Sequence, residues 1–110
     1  MAPQLFTIKK RVTFVHIRNK GVYLRGKNIN IQKLLNQDLD GRIRVGYTAT
    51  KKIGNAVKRN KAKRIMRELA KKILIKGKTN TYYVLIAKTS ILDIKFKDLL
   101  EELEKIINDK

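Results

Sequence analysis

Cysteine and tryptophan are absent from this chain, and histidine occurs once, at His16. Without cysteine there are no disulfides and no thiol chemistry, and one histidine leaves no ligand set of the kind a zinc site needs. Acidic residues are scarce too, 9 Asp and Glu against 27 Lys and Arg. A metal-dependent protein nuclease, which needs clustered carboxylates or a histidine with a second acid or base, has little to be built from. No stretch approaches the roughly 18 consecutive apolar residues of a membrane span. The opening residues MAPQLFTIKKR show no long apolar segment before a small-residue cleavage site, so no secretion signal is read and a soluble cytoplasmic protein is expected.

What is present is positive charge. The 110 residues carry a formal net charge of +18, with hydrophobic content of 43%. That length and content suit a single domain, residues 1–110, with one shared core. The charge is uneven. Residues 93–110 hold six of the nine acidic residues, which leaves 23 basic and 3 acidic residues in 1–92. Self-repulsion at this density opposes compaction, and a polyanion relieves it. Nucleic acid is the leading partner class and an anionic membrane the second; composition alone does not separate RNA from DNA.

Periodicity gives a coarse plan. Residues 8–18 read as a short helix ended by Gly21, although their β-branched content also suits a strand; Val12, Val15, His16 and Asn19 share one helical face. Residues 22–35 read as extended chain, with Ile29 and Ile31 on one side, and NQDLDG (36–41) as a turn. In 42–50, Ile43, Val45, Tyr47 and Ala49 face one way, while Arg42, Arg44, Gly46, Thr48 and Thr50 face the other. Asn55 is the expected N-cap of a helix over 56–74, whose core stripe is Ala62, Ile65, Met66, Leu69 and Ile73. A buried strand at 81–88 and a helix at 94–108, capped by Asp93, complete the plan. The fold class is α/β (α+β): a small mixed sheet with a strand-helix-strand crossover, packed against helices.

The stretch KKIGNAVKRNKAKRIMRE, 51–68, holds most of the information about function. With Asn60 at zero and 100° per residue, Lys63, Arg64, Arg67 and Lys71 fall within about 60° of it. The stripe Ala62, Met66, Leu69 and Ile73 lies across the cylinder. The ridge is roughly 17 Å long at 1.5 Å per residue, enough to meet several phosphates of one strand. Like charges four apart cost a few tenths of a kcal/mol each, which a solvated face without an anionic partner has little reason to accumulate. Lys58, Arg59 and Lys61 fall to the flanks, and the pattern leaves open whether Arg59 reaches back over the sheet. A partnerless soluble face and a membrane-surface helix are the competing readings; the second lacks Trp and needs the apolar face for itself.

The run RIRVGYTATKKIGNAVKRNKAKRIMRE, 42–68, resembles the signature of the bacterial ribonuclease P protein component family. The matching pieces are Arg44-Val45-Gly46-Tyr47, Lys51-Lys52, Gly54-Asn55-Ala56-Val57, Arg59-Asn60-Lys61, Lys63-Arg64 and Arg67-Glu68. Lys9, Lys10, Phe14 and Gly21 also fit, and the likeness covers roughly residues 8–108. Thr50 stands where the family has Ser, and Lys61 where it has a second Arg, which keeps the charge but not the fork. The resemblance implies a ribosomal-protein-S5-domain-2-like fold with a left-handed crossover, an exception to the usual hand. It implies a helix that binds the ribonuclease P RNA through Arg59, Asn60, Lys61, Lys63, Arg64 and Arg67, with Lys71 extending the ridge. It implies a cleft for the 5′ leader of precursor tRNA, formed by Phe14, Arg44, Thr48, Lys51 and Lys52.

On this reading the RNA is the catalyst and uses magnesium, none of it bound stably by the protein. The protein is a subunit of an endonuclease without catalytic residues of its own, and no stable protein partner is required. Phe14 is a plausible stacking platform, with core packing as its alternative. Tyr47 reads first as core, and His16 as a surface or cleft-edge residue. Asp38 and Asp40 read as turn formers. A structural or ribosome-associated RNA-binding protein with no role in cleavage explains the charge equally well. A DNA-compacting protein is the weaker alternative, since no groove-reading module is apparent.

Overall fold

The computed structural model describes residues 4–108. In chain order the elements are β1 (Leu5–Thr7), α1 (Arg11–Lys20), β2 (Val22–Leu24), β3 (Ile29–Leu35), β4 (Ile43–Thr48), α2 (Ala56–Ile73), β5 (Thr81–Ala87) and α3 (Phe96–Asn108). Short 3-10 turns fill several of the joints. The five strands form one mixed sheet in the order β1-β4-β5-β3-β2. β4 lies parallel to both β1 and β5, and β3 runs antiparallel to β5 and β2. The near-continuous apolar run of β5 is explained by its central place, with neighbours on both edges and helices on both faces.

Alternation along each strand sorts the side chains. One face carries Ile29, Ile31, Ile43, Val45, Tyr83, Leu85 and Ala87, all buried in the main core. Against them α2 lays Ala62, Met66, Leu69 and Ala70, and α3 lays Leu99 and Leu103. Ile65 and Ile73, on the margin of the α2 stripe, are only partly covered. The opposite face is thinner: Ile8, Ile17 and Val84 are buried there, flanked by partly covered Phe14, Leu34, Tyr82 and Ile86 under α1.

The observed elements follow the sequence plan with four corrections. The extended stretch 22–35 is two strands, because the chain turns between Leu24 and Ile29. Glu102 of α3 holds that turn, accepting hydrogen bonds from the Asn28 backbone N–H (2.7 Å), the Asn28 side-chain amide (2.6 Å) and the Ile29 N–H (3.1 Å). Gly26 is needed there, since a Cβ would strike the Ile29 carbonyl oxygen, Glu102 and Ile106. Second, β1 carries no periodicity in three residues, and its pairing with β4 creates it. Third, Asp93 does not cap α3: it ends a 3-10 turn at Thr89–Asp93, and the first turn of α3 bonds instead to the Lys95 carbonyl. Fourth, the first helix spans Arg11–Lys20 rather than 8–18, facing the sheet through Phe14 and Ile17 and leaving His16 exposed as read.

Candidate nucleic-acid interface

The loop before α2 is shaped by two local bonds. The Asn55 side-chain oxygen accepts from the Lys58 N–H at 3.0 Å, capping the helix, and the Arg59 guanidinium donates to the Gly54 carbonyl at 2.9 Å. Gly54 sits at φ 138°, where a side chain is strained. Arg59 is therefore half-buried and tied to the loop at Gly54. Asn60, Lys61, Arg64 and Arg67 are exposed along the helix. Lys71 is exposed as well, but its Nζ lies 3.5 Å from Glu68 on the same helix, so part of its charge is already answered.

The ridge borders more than one surface of the protein. The Arg67 guanidinium carbon lies 5.8 Å from the centroid of the Tyr47 ring, which places this side of α2 beside β4. Lys63, one turn earlier, is half-buried and lines a hollow of about 420 Å³ between α1 and the sheet. α1 contributes Arg11, Phe14, Val15 and Arg18 to that hollow; the sheet contributes Gln32, Tyr47, Thr48, Val84 and Ile86. Phe14 rests directly on Gly46, where a methyl group would overlap its ring. The strand's polar side is thus not all solvated: Gly46 is buried so that an aromatic ring can sit on the backbone. Tyr47 is half-covered, and burial pushes its phenol up from the usual value while the Arg67 charge pulls the other way. Its ring belongs partly to the core and partly to the cleft wall.

Of the five expected cleft residues, the structure brings Phe14 and Thr48 together. Arg44 lies elsewhere, beside Phe6 and in a second hollow with Lys9, Lys10, Thr13 and Tyr82. Lys51 and Lys52 are exposed on a 3-10 turn just past the cleft and do not line it. The physical reason is that α1, seated by Phe14 on Gly46, divides this face of the sheet. The polar and charged lining residues Arg11, Arg18, Gln32 and Lys63 were not among those expected in the cleft. The spacing 11, 14, 15, 18 is a helical face and held the first two. Gln32 has no such signal; only its register with Val84 and Tyr23 places it in the cleft floor.

Among the described residues, no group of three or more His, Cys, Asp and Glu is arranged to hold a metal ion. His16 is exposed on α1, and Asp40 occupies a left-handed turn position at φ 53°, with the Gly41 N–H bonded to the Asn80 side chain at 2.7 Å. What the arrangement does offer is an aromatic ring at Phe14 and cations at Arg11, Arg18 and Lys63 around one hollow.

A family model, Ribonuclease P, matches residues 2–110. The chain belongs to the bacterial ribonuclease P protein family. The ribonuclease P protein component of Syntrophus aciditrophicus is 40% identical over 96 residues, spanning 87% of this chain and 79% of that one. That of Symbiobacterium thermophilum is 30% identical over 105 residues, spanning 92% and 87%. The solved ribonuclease P protein of Staphylococcus aureus superposes with a TM-score of 0.82 at 27% identity, covering 96% of this chain and 95% of its own. The Thermotoga maritima ribonuclease P protein, at 21% identity and TM-score 0.82 over 94% of this chain, shares the fold. The mixed sheet with its strand-helix-strand crossover is the architecture of the ribonuclease P proteins.

Proposed function

We propose that this protein subunit of ribonuclease P works through two adjoining surfaces: the outer side of α2 for the catalytic RNA, and the α1–sheet hollow for the 5′ leader of precursor tRNA. Its partners are ribonuclease P RNA and precursor tRNA, and the endonuclease chemistry is that of an RNA-based enzyme. Magnesium serves the RNA subunit. On the helix, Asn60, Lys61, Arg64 and Lys71 meet RNA-subunit phosphates, and Arg59 holds the loop from which that side projects. Lys63 and Arg67 stand at the seam and serve both RNAs. In the hollow, Phe14 offers a ring for a leader base, with Thr48, Arg11 and Arg18 around it. Stacking on such a ring is worth about 1–3 kcal/mol per base and tolerates any sequence. Lys51 and Lys52 act at the rim, and Arg44 stands apart from the hollow. The chain acts as one domain, in the cytoplasm, with no stable protein partner; no helix among the described residues is long and apolar enough to cross a membrane.

The observation that carries this reading is the seam itself. Lys63 lines the hollow while Arg67, one turn on, covers Tyr47 in the same wall, so one basic helix borders both surfaces. A protein so built screens the repulsion between two RNAs and holds one of them by its unpaired end.

The test is reconstitution. Purified protein is combined with a bacterial ribonuclease P RNA and precursor tRNA at low magnesium, with leaders of several lengths. Correct 5′ cleavage is expected to require protein and RNA together, with substrate affinity rising once the leader spans the hollow. If the protein binds both RNAs and never stimulates cleavage, the reading fails and a general RNA-binding role replaces it.

A further inference from the structure

The strongest unassigned cluster lies at the sheet edge where β1 meets the start of β4. Phe6 stands beside Arg44 in register, and the guanidinium carbons of Arg42 and Arg44 lie 5.1 Å and 5.7 Å from the centroid of its ring. Arg42 is exposed, and among the described residues its guanidinium has no hydrogen-bond or ion-pair partner. Arg44 makes one long contact, 3.4 Å to the Thr7 carbonyl. A guanidinium drawn to the face of an aromatic ring uses none of its N–H donors in that contact, so they stay available for two-point contact with a phosphate.

Two hollows flank the stack. One, of about 630 Å³, is bordered by Phe6, Arg42 and Lys76; the other, of about 400 Å³, by Lys9, Lys10 and Arg44. Asp40 is the one carboxylate lining either of them, against five cations.

Topology decides which RNA this edge faces. α2 carries the chain from the Thr48 end of β4 back to the start of β5, parallel to β4, so α2 runs opposite to both strands. Lys76, just past its end, therefore returns to the Ile43 end, where it shares a hollow with Arg42. The basic side of α2 lies beside β4, as the Arg67–Tyr47 contact shows. Arg42 thus adjoins the end of α2 through that hollow, while Phe6 and Arg44 lie on the α1 side of the sheet. From the leader hollow the edge cluster is separated by α1 and by the Phe14 ring on Gly46.

We propose that the Arg42–Phe6–Arg44 edge is a third RNA-docking surface, and that it takes the phosphodiester backbone of the ribonuclease P RNA and not the leader. The proposal rests on the subunit reading above.

It is tested by equilibrium binding of the full chain to ribonuclease P RNA alone across a salt series, and of the assembled enzyme to precursor tRNA. Arg42→Ala is expected to weaken binding to the RNA subunit about tenfold and to lower the salt slope by about one. Arg42→Lys restores the slope but only part of the affinity, because charge returns without the flat fork. Phe6→Leu keeps the packing and weakens binding with the slope unchanged. Arg42→Ala with wild-type affinity and slope overturns the proposal. So does a loss confined to precursor tRNA, which assigns the edge to the substrate instead. Thermal melts of Arg42→Ala matching the wild type exclude a folding defect, and one that does not match transfers the test to Arg42→Lys. Wild-type cleavage in the same preparations reports on the subunit reading separately.

Discussion

The face of the sheet under α2 and α3 and the face under α1 use the same strands, yet they are closed to different degrees. On the first, two helices lay a continuous layer of aliphatic side chains on the strands, with Met66, Leu69, Leu85, Leu99 and Leu103 essentially without solvent contact. On the second, one ten-residue helix crosses the sheet, buries Ile17 on Ile8 and Val84, and leaves hollows on both sides of itself. The difference teaches how a small chain of net charge +18 divides its labour. Closing both faces would stabilise the fold further and leave nowhere for a nucleotide to enter. The α1 face instead leaves backbone, rings and cations uncovered, the surface proposed above for the leader, and the α2–α3 face holds the fold together.

The comparison breaks most sharply at the closed core. Leu103→Ala is expected to cost about 2–5 kcal/mol, since a fully buried leucine leaves a cavity its neighbours fill only in part. Chemical denaturation measures the loss, and RNA affinity of the remaining folded protein should be unchanged. A variant that loses RNA affinity while fully folded would deny that the two faces act separately. Gly46→Ala tests the other face. The added methyl must displace the Phe14 ring, at about 1–3 kcal/mol of overpacking. Its diagnostic effect is on substrate: discrimination between long and short leaders should fall further than affinity for the RNA subunit, as read by parallel titrations of both.

How much of this was legible in the sequence follows the same division. The closed face was legible because helical and alternating patterns report burial: the α2 stripe and the inward residues of β4 were read as they stand, with Asn55 in place as the cap. The open face was read in pieces. Phe14 and Thr48 were placed in one cleft, but Arg44, two residues before Gly46, lies beyond the ring that divides this face. No period in the sequence reports where a crossing helix will sit. The clamp of Glu102 on Asn28 joins residues 74 positions apart, which no local signal contains. Asp93 looked like a cap because it precedes an apolar pattern, yet a 3-10 turn delays the helix until Phe96.

A smaller effect is expected at the boundary between the faces. Burial raises the Tyr47 phenol above 10.0, with Arg67 opposing, and burial also raises Tyr83, opposed by its hydrogen bond from the Lys78 N–H. The folded chain therefore keeps these protons after the unfolded chain has released them. Stability from this source is intact below pH 10 and is lost as pH rises through the higher folded values. Tyr47→Phe should blunt the alkaline loss seen in melts between neutral pH and pH 11, and absorbance titration should show one fewer late-titrating phenol. An unchanged alkaline profile would mean that Tyr47 is open to water and belongs wholly to the cleft.

The smallest expected difference lies along the α2 ridge, between Arg64 and Lys71. Both are exposed and both lie within a turn of Glu68, but only Lys71 is at ion-pair distance from it, 3.5 Å, with the two side chains 68% and 50% exposed. Such a pair contributes at most about 1 kcal/mol to stability, so Lys71→Ala should scarcely move the melting temperature. Its consequence is for RNA. A phosphate approaching Lys71 must compete with Glu68 and is itself repelled by it, whereas one approaching Arg64 meets a free fork. Arg64→Ala should lower the salt slope of RNA binding by about one and Lys71→Ala by less. Glu68→Gln sharpens the point by releasing Lys71, and RNA affinity should then rise modestly. Equal losses for Arg64→Ala and Lys71→Ala, with Glu68→Gln neutral, would show that the ion pair opens at no cost and that the ridge acts as uniform charge.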